Sequence, residues 1–189
     1  MLLNTEKNYG FVSRCFHWVT AIVVICLIFV GLYMHDVTNY LVRKQLYIAH
    51  KSFGFLVLLI ILPRFIWRLI NPVPKLESVI PSYQKFISKL VHWLFYLFLF
   101  IMPLSGLTMT FFSGRKLNLF GVYVLDIGIS KNVGIARLGH DVHGVLGYTL
   151  AFMVGLHIMA ALYHHFILRD NVLVRMWSAW PFRKNERSK

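Results

Sequence analysis

The chain has 189 residues, 58% of them hydrophobic, and a mean hydropathy of +0.63, well above an ordinary soluble domain. Its formal net charge of +13 would suit nucleic acid, but the Lys and Arg residues sit at the ends of apolar runs and in short connectors, which is the pattern of membrane topology. Two cysteines, Cys15 and Cys26, are too few for a disulfide framework.

The N-terminal segment MLLNTEKNYGFVSR is polar and ends at Arg14, just before the first apolar run, expected to span about 16–34. That run lacks a small-x-small cleavage pattern and carries His17 and Trp18 at its mouth, so it is expected to be a retained span. His17 lies one turn inside one membrane face. His35, beside Asp36 at the far end, reads as solvated. A short connector makes the second run, about 46–70, an antiparallel neighbour of the first. His50, near its start, therefore lies at the opposite face from His17. Pro63 is expected to kink this helix late, and Arg64, Trp67 and Arg68 mark its exit.

The segment NPVPKLESVIPSYQK is a polar, Pro-rich surface connector with no sign of a second domain, so residues 1–189 read as one membrane domain. The third run, about 90–112, opens with His92 and Trp93 and contains Pro103 and Gly106. His92 is on the His17 side and has no counterpart on its own helix; a capping, interfacial or quinone-related role suits it. The longest loop follows, over 113–139, with Arg115, Lys116, Lys131 and Arg137. The fourth run, about 138–168, leads into a basic tail.

That fourth run contains HGVLGYTLAFMVGLHIMAALYHH. His143 and His157 are fourteen residues apart, which places them within roughly 40° on one helix face and about 21 Å apart along it. The separation is close to the depth of a hydrocarbon core. Ionisable groups within a span face the bundle interior and are functional by default. Hydrogen bonding to neighbouring helices would account for one such histidine. Two on one face, matched in depth by others, instead suit two haems, one near each surface. Depth pairs His17 with His157 and His50 with His143. His140, one turn earlier, competes with His143, which is deeper and in register with His157. A zinc site fits poorly, because the four histidines are split between two faces without cysteine or paired carboxylates. With no CxxCH present, the haems would be held non-covalently. With both axial positions taken, the iron would transfer electrons and not activate oxygen.

The expected fold is therefore an all-α membrane protein, a four-transmembrane-helix bundle. Lys7, Arg14, Arg64, Arg68, Lys75, Lys85, Lys89, Arg169, Arg175, Arg183, Lys184, Arg187 and Lys189 fall on one side. Arg43, Lys44, Lys51, Arg115, Lys116, Lys131 and Arg137 fall on the other. This asymmetry makes both termini cytoplasmic. Near the inner haem His164, seven residues beyond His157, is the first candidate to meet a quinone, with Arg68 and His165 behind it; the alternative for His164 and His165 is a solvated interfacial cap. Arg14 or Arg68 suits the haem propionates. Lys51, Arg115, Lys116, Lys131 and Arg137 could steer a small anion to the outer haem, or form a solvated face only.

Several motifs carry a resemblance over nearly the whole chain. They are Tyr9-Gly10 followed by His17-Trp18, AHKSFG around His50, RFIWRLINPVP, VHWLFY with MPLSG, SGR with LFG, and GLHIMAALYHHF with RDNVLVRM. Together they resemble the bacterial cytochrome b561 family of dihaem membrane proteins. The resemblance implies two haem b groups held by His17, His50, His143 and His157 in a bacterial inner membrane. It further implies oxidation of periplasmic superoxide with reduction of ubiquinone. The alternative is a membrane anchor and electron conduit between the quinone pool and a soluble, periplasmic redox partner.

Overall fold

The computed structural model describes residues 1–75 and 80–177. Four long helices carry the structure: α1 (Phe11–Tyr33), α2 (Tyr40–Ile70), α3 (Ser82–Phe112) and α4 (Val133–Tyr163), the last continued by a π-helical turn at His164–Leu168. A short hairpin, β1 (Leu117–Leu119) and β2 (Tyr123–Leu125), joins α3 to α4, and α5 (Val174–Trp177) follows the bundle. All four long helices are long and apolar enough to cross a membrane. Their outer faces leave Ile22, Phe29, Val145 and Phe152 exposed, as lipid-facing surfaces should.

Each helix starts several residues before its apolar run. Asn39 caps α2 by accepting the N–H groups of Leu41 and Val42, and Asn132 caps α4 by accepting that of Ile135. These capped turns are polar enough to sit outside the hydrocarbon, which is why hydropathy alone places the starts late. Helix α2 runs on past Pro63, and α3 past Pro103.

Successive helices pack side by side, α3 most extensively on α4, then α1 on α2 and α2 on α3, with α1 meeting α4 to close the bundle. At mid-depth the four helices meet in an aliphatic layer of Val24, Val57, Leu99 and Leu150, joined by Ile61. The expectation of a plain loop over 113–139 is corrected at both ends. Residues from Val133 belong to α4, and the hairpin pairs Leu117 with Leu125 and Leu119 with Tyr123. The turn is made possible by Phe120 (φ 54°) and Gly121 (φ 77°) in the left-handed region.

Ser52 fastens this hairpin to α2. Its hydroxyl donates to the Ile48 carbonyl (2.7 Å) and accepts the Phe120 N–H (2.8 Å), while Leu117 beside it is 1% exposed. Ser52→Ala leaves the Phe120 N–H without its partner, a loss of about 1–3 kcal/mol at a buried donor. Faster amide exchange across 117–125, with the helices unchanged, is the expected readout.

At the other end the first residues fold back over α1. Asn4 accepts from the Gly10 N–H (2.8 Å) and the Ser13 hydroxyl (2.7 Å), and its amide donates to the Pro72 carbonyl (3.0 Å). A Cβ at position 10 would fall 2.3 Å from the Leu2 carbonyl oxygen, so only glycine fits there. Trp18 donates to the Met176 carbonyl (2.8 Å), drawing α5 over the same end. The basic residues of the tail, Arg183, Lys184, Arg187 and Lys189, lie outside the described residues.

Candidate haem-binding sites

The fold brings the four histidines into two facing pairs, each drawn from different helices. The ring centroids of His17 (α1) and His157 (α4) are 6.3 Å apart, and those of His50 (α2) and His143 (α4) are 6.2 Å apart. With a metal–imidazole bond of about 2.0 Å, two imidazoles on opposite sides of one metal place their ring centres roughly 6.2 Å apart. Both pairs have this spacing. His143 is also held in the orientation that ligation needs: its Nδ1 lies 3.0 Å from the Met102 carbonyl and 3.2 Å from the Ser105 hydroxyl, which leaves Nε2 facing the centre. Nδ1 of His50 is buried with no hydrogen-bond partner.

A seven-residue register, absent from the expectations, organises both levels. On each helix the mid-depth core residue stands seven positions from an inner and an outer residue: His17, Val24 and Gly31 on α1; Arg64, Val57 and His50 on α2; His92, Leu99 and Gly106 on α3; His157, Leu150 and His143 on α4. Seven residues are two turns and about 10 Å of rise, the repeat that keeps one seam facing the bundle axis. The outer level is thus two histidines and two glycines, and the inner level is three histidines and an arginine.

The outer glycines back the outer imidazoles. A Cβ on Gly31 would lie 3.1 Å from Cε1 of His50, and one on Gly106 would lie 3.1 Å from Cε1 of His143. Any side chain at either position would press on a ligand ring.

The inner level opens into a cavity of about 740 Å³, partly open to its surroundings and within the roughly 300–1,000 Å³ of cofactor sites. His17, His157, His92, Arg64, Arg68, Tyr9 and Tyr96 line it together with aliphatic groups from the mid-depth layer. The His92 ring is 5.9 Å from that of His157, and its Nδ1 is 2.6 Å from the Ser88 carbonyl. Arg64 and Arg68 both stack on the Tyr96 ring, and Nη2 of Arg64 reaches to 3.4 Å from Nδ1 of His17.

The other predicted residues fall outside these centres or at their rims. His140 is exposed and paired with Asp141, which leaves the outer level to His143. His164 is held by Asp170 and does not line the cavity, nor does His165, whose ring packs on Phe166. Arg68 does line it. Arg14 points instead toward the Trp177 carbonyl (3.5 Å). His35 lies against Tyr47 at the surface. Of the five outer cations, Lys116 is paired with Asp126 (2.8 Å) and Arg137 with Asp141 (4.0 Å), while Lys51 is half-buried and Arg115 and Lys131 are exposed.

A family model described as prokaryotic cytochrome b561 matches residues 8–179. The chain belongs to the prokaryotic cytochrome b561 family. It is similar to cytochrome b561 homolog 2 of Escherichia coli (strain K12), 30% identical over 178 residues that cover 92% of this chain and 93% of that protein. It is also similar to a protein named probable superoxide oxidase CybB from Yersinia pestis, 26% identical over 90% of this chain and 96% of that one. Cytochrome b561 homolog 1 of Escherichia coli (strain K12) is 26% identical over 85% of this chain and 91% of that protein.

This cytochrome b561 is accordingly a multi-pass membrane protein of electron transport, from a family that binds b-type haem. Its donor set fits that group. Among the described residues no three His, Cys, Asp or Glu side chains gather to hold a bare metal ion. Two imidazoles alone would leave such an ion short of ligands, whereas a porphyrin supplies four equatorial nitrogens and asks the protein for two axial ones. Glycine at both non-ligand positions of the outer level leaves room for a flat ring.

Two signals could have found the missed residues. Repeating the His143-to-His157 spacing on the other helices gives Gly31 from His17, Arg64 from His50 and Gly106 from His92. The apolar midpoints at 24, 57, 99 and 150 confirm that all four helices keep this register.

Proposed function

We propose that this cytochrome b561 holds two haem b groups, an inner one between His17 and His157 and an outer one between His50 and His143, and moves electrons between the membrane faces. The observation that carries this reading is the pair of centroid separations, 6.3 and 6.2 Å, at two levels of one bundle. Bound haem supplies a one-electron couple at each level. The imidazoles fill both axial positions and so exclude oxygen as a ligand. The mid-depth layer of Val24, Val57, Leu99 and Leu150 keeps water from the space between the levels.

In this reading both termini are cytoplasmic, the membrane is the bacterial inner membrane and the outer level faces the periplasm. Superoxide is the donor there and ubiquinone the acceptor within. Each superoxide anion gives up one electron and leaves as dioxygen; two electrons and two protons convert the quinone to its quinol. The name of the Yersinia pestis relative supports the superoxide half. The inner cavity supports the other half, since His92, Tyr9 and Arg68 line it and can exchange hydrogen bonds with a quinone carbonyl.

The test is potassium superoxide added to the oxidised protein under argon. The expected result is rapid reduction of both haems, prevented by superoxide dismutase, and reoxidation when a ubiquinone analogue follows. If the haems stay oxidised, superoxide is not the donor.

The outer cations give a second test. The hydrogen bond from Lys116 holds the Asp126 carboxyl below its usual range, and the same bond raises the Lys116 ammonium. The pair therefore persists at neutral pH and is lost only as pH falls through the depressed Asp126 value. Asp126→Asn releases Lys116 to the approaching anion, and the superoxide-driven rate is expected to rise about twofold at low ionic strength and to be unchanged at high salt. A rate indifferent to the substitution at low salt removes Lys116 from the steering field.

A further inference from the structure

The inner level differs from the outer one in what its non-ligand helices present: Arg64 and His92 stand where the outer level has glycines. Arg64 sits fourteen residues beyond His50 on α2 and so faces the centre that His17 and His157 face. Its guanidinium and that of Arg68 lie 5.6 and 5.9 Å from the centroid of the same Tyr96 ring. Among the described residues neither has a carboxylate within ion-pair distance. Two guanidinium groups gathered in a largely apolar cavity without a counter-ion are costly, and an anion taken up there removes the cost.

The contact between Arg64 and His17 carries the inference further. A guanidinium has five N–H donors and no acceptor. Its approach to 3.4 Å from Nδ1 of His17 requires a lone pair on that nitrogen, which puts the imidazole proton on Nε2. An imidazole that binds iron through Nε2 carries its proton on Nδ1, as the Met102 carbonyl arranges for His143. Arg64 therefore cannot stay on His17 once His17 is a ligand.

We propose that Arg64 binds a propionate carboxylate of the inner haem, and that its transfer from His17 to that carboxylate frees Nδ1 to hold the proton that ligation requires. Arg64 is a positioning residue, acting on the haem's carboxylate and through His17 without touching the iron. Its planar fork suits a carboxylate better than a lysine ammonium does. The inference rests on the dihaem reading above.

The experiment compares wild type, R64Q and R64K by haem content per chain and by anaerobic redox titration. Removing the guanidinium takes a positive charge from beside the iron and leaves the carboxylate unneutralised, and both effects favour the oxidised state. In R64Q the inner haem is expected to become about tenfold harder to reduce, a shift of ~59 mV for one electron. The outer haem should be unchanged, and R64K should recover part of the shift. An inner haem of unaltered potential and occupancy in R64Q overturns the proposal.

Should R64Q not accumulate, wild-type apoprotein loaded with haem dimethyl ester decides the matter, because that compound lacks the carboxylate. Inner-site loading at least tenfold weaker than with free-acid haem is expected, and equal loading overturns the proposal. A wild-type protein without b-type haem would instead overturn the dihaem reading, so the two failures are distinguishable.

Discussion

His143→Leu is expected to cost this cytochrome b561 one of its two low-spin haem signals and to leave the other intact. The outer pair draws on α2 and α4 and the inner pair on α1 and α4, at levels separated by two seven-residue steps, or about 21 Å of helix. Between them the layer of Val24, Val57, Leu99 and Leu150 does not depend on either pair. The variant should therefore insert and fold, lose the bis-imidazole signature of the outer haem, and pass no electrons from superoxide to the inner one. His157→Leu should give the mirror result, with an outer haem that superoxide still reduces and no quinone reduction. The measurement is the visible spectrum of purified protein with haem counted per chain. His140→Leu is the control: His140 is exposed and paired with Asp141, so its loss should leave both signals. If His140→Leu removed the outer haem and His143→Leu did not, the outer ligand would have been misassigned.

Gly106→Val is expected to have nearly as large an effect without touching a ligand. A Cβ at that position already stands 3.1 Å from Cε1 and 3.2 Å from Nδ1 of His143, and the two methyl groups of valine have nowhere to go but into the ring. His143 cannot retreat, because the Met102 carbonyl and Ser105 hydroxyl hold its Nδ1 from the other helix. Overpacking of this sort costs about 1–3 kcal/mol where a core can shift. At an axial ligand the strain moves Nε2 off the metal axis, so the outer haem should be lost or made high-spin while the inner one stays as it was. Gly31→Val, which presses on His50, should do the same at the same level. Two unaltered haems in both variants would show that the glycines provide no clearance for the outer site.

How far the sequence could be read depends on what kind of signal each residue leaves. The spans were legible because four apolar runs of membrane length leave no other way to satisfy the backbone in lipid. Their starts were not, since the turns capped by Asn39 and Asn132 lie outside the hydrocarbon and follow capping chemistry instead of hydropathy. The histidine pairs could be read from depth, because an imidazole inside a span is conspicuous. His92 was judged to lack a counterpart on its own helix because the search was for a second ionisable group. Its counterpart is Gly106, a position marked by the absence of a side chain.

Arg64 was hidden differently. A cation near a helix exit reads as an interfacial anchor, and only packing reveals that this one turns inward onto Tyr96 and His17. For His164 the seven-residue spacing from His157 was right in register and wrong in consequence. The chain turns back at Arg169, in the left-handed region with φ 53°, and brings Asp170 round to hold the ring.

The most direct test of the account is haem content: pyridine haemochrome analysis of the purified full chain, set against protein concentration from amino-acid analysis, with carbon monoxide added to the reduced sample. The account predicts two b-type haems per chain and no spectral change with carbon monoxide, since imidazole fills every axial position. One haem per chain, or a carbon monoxide adduct in the wild type, would contradict it.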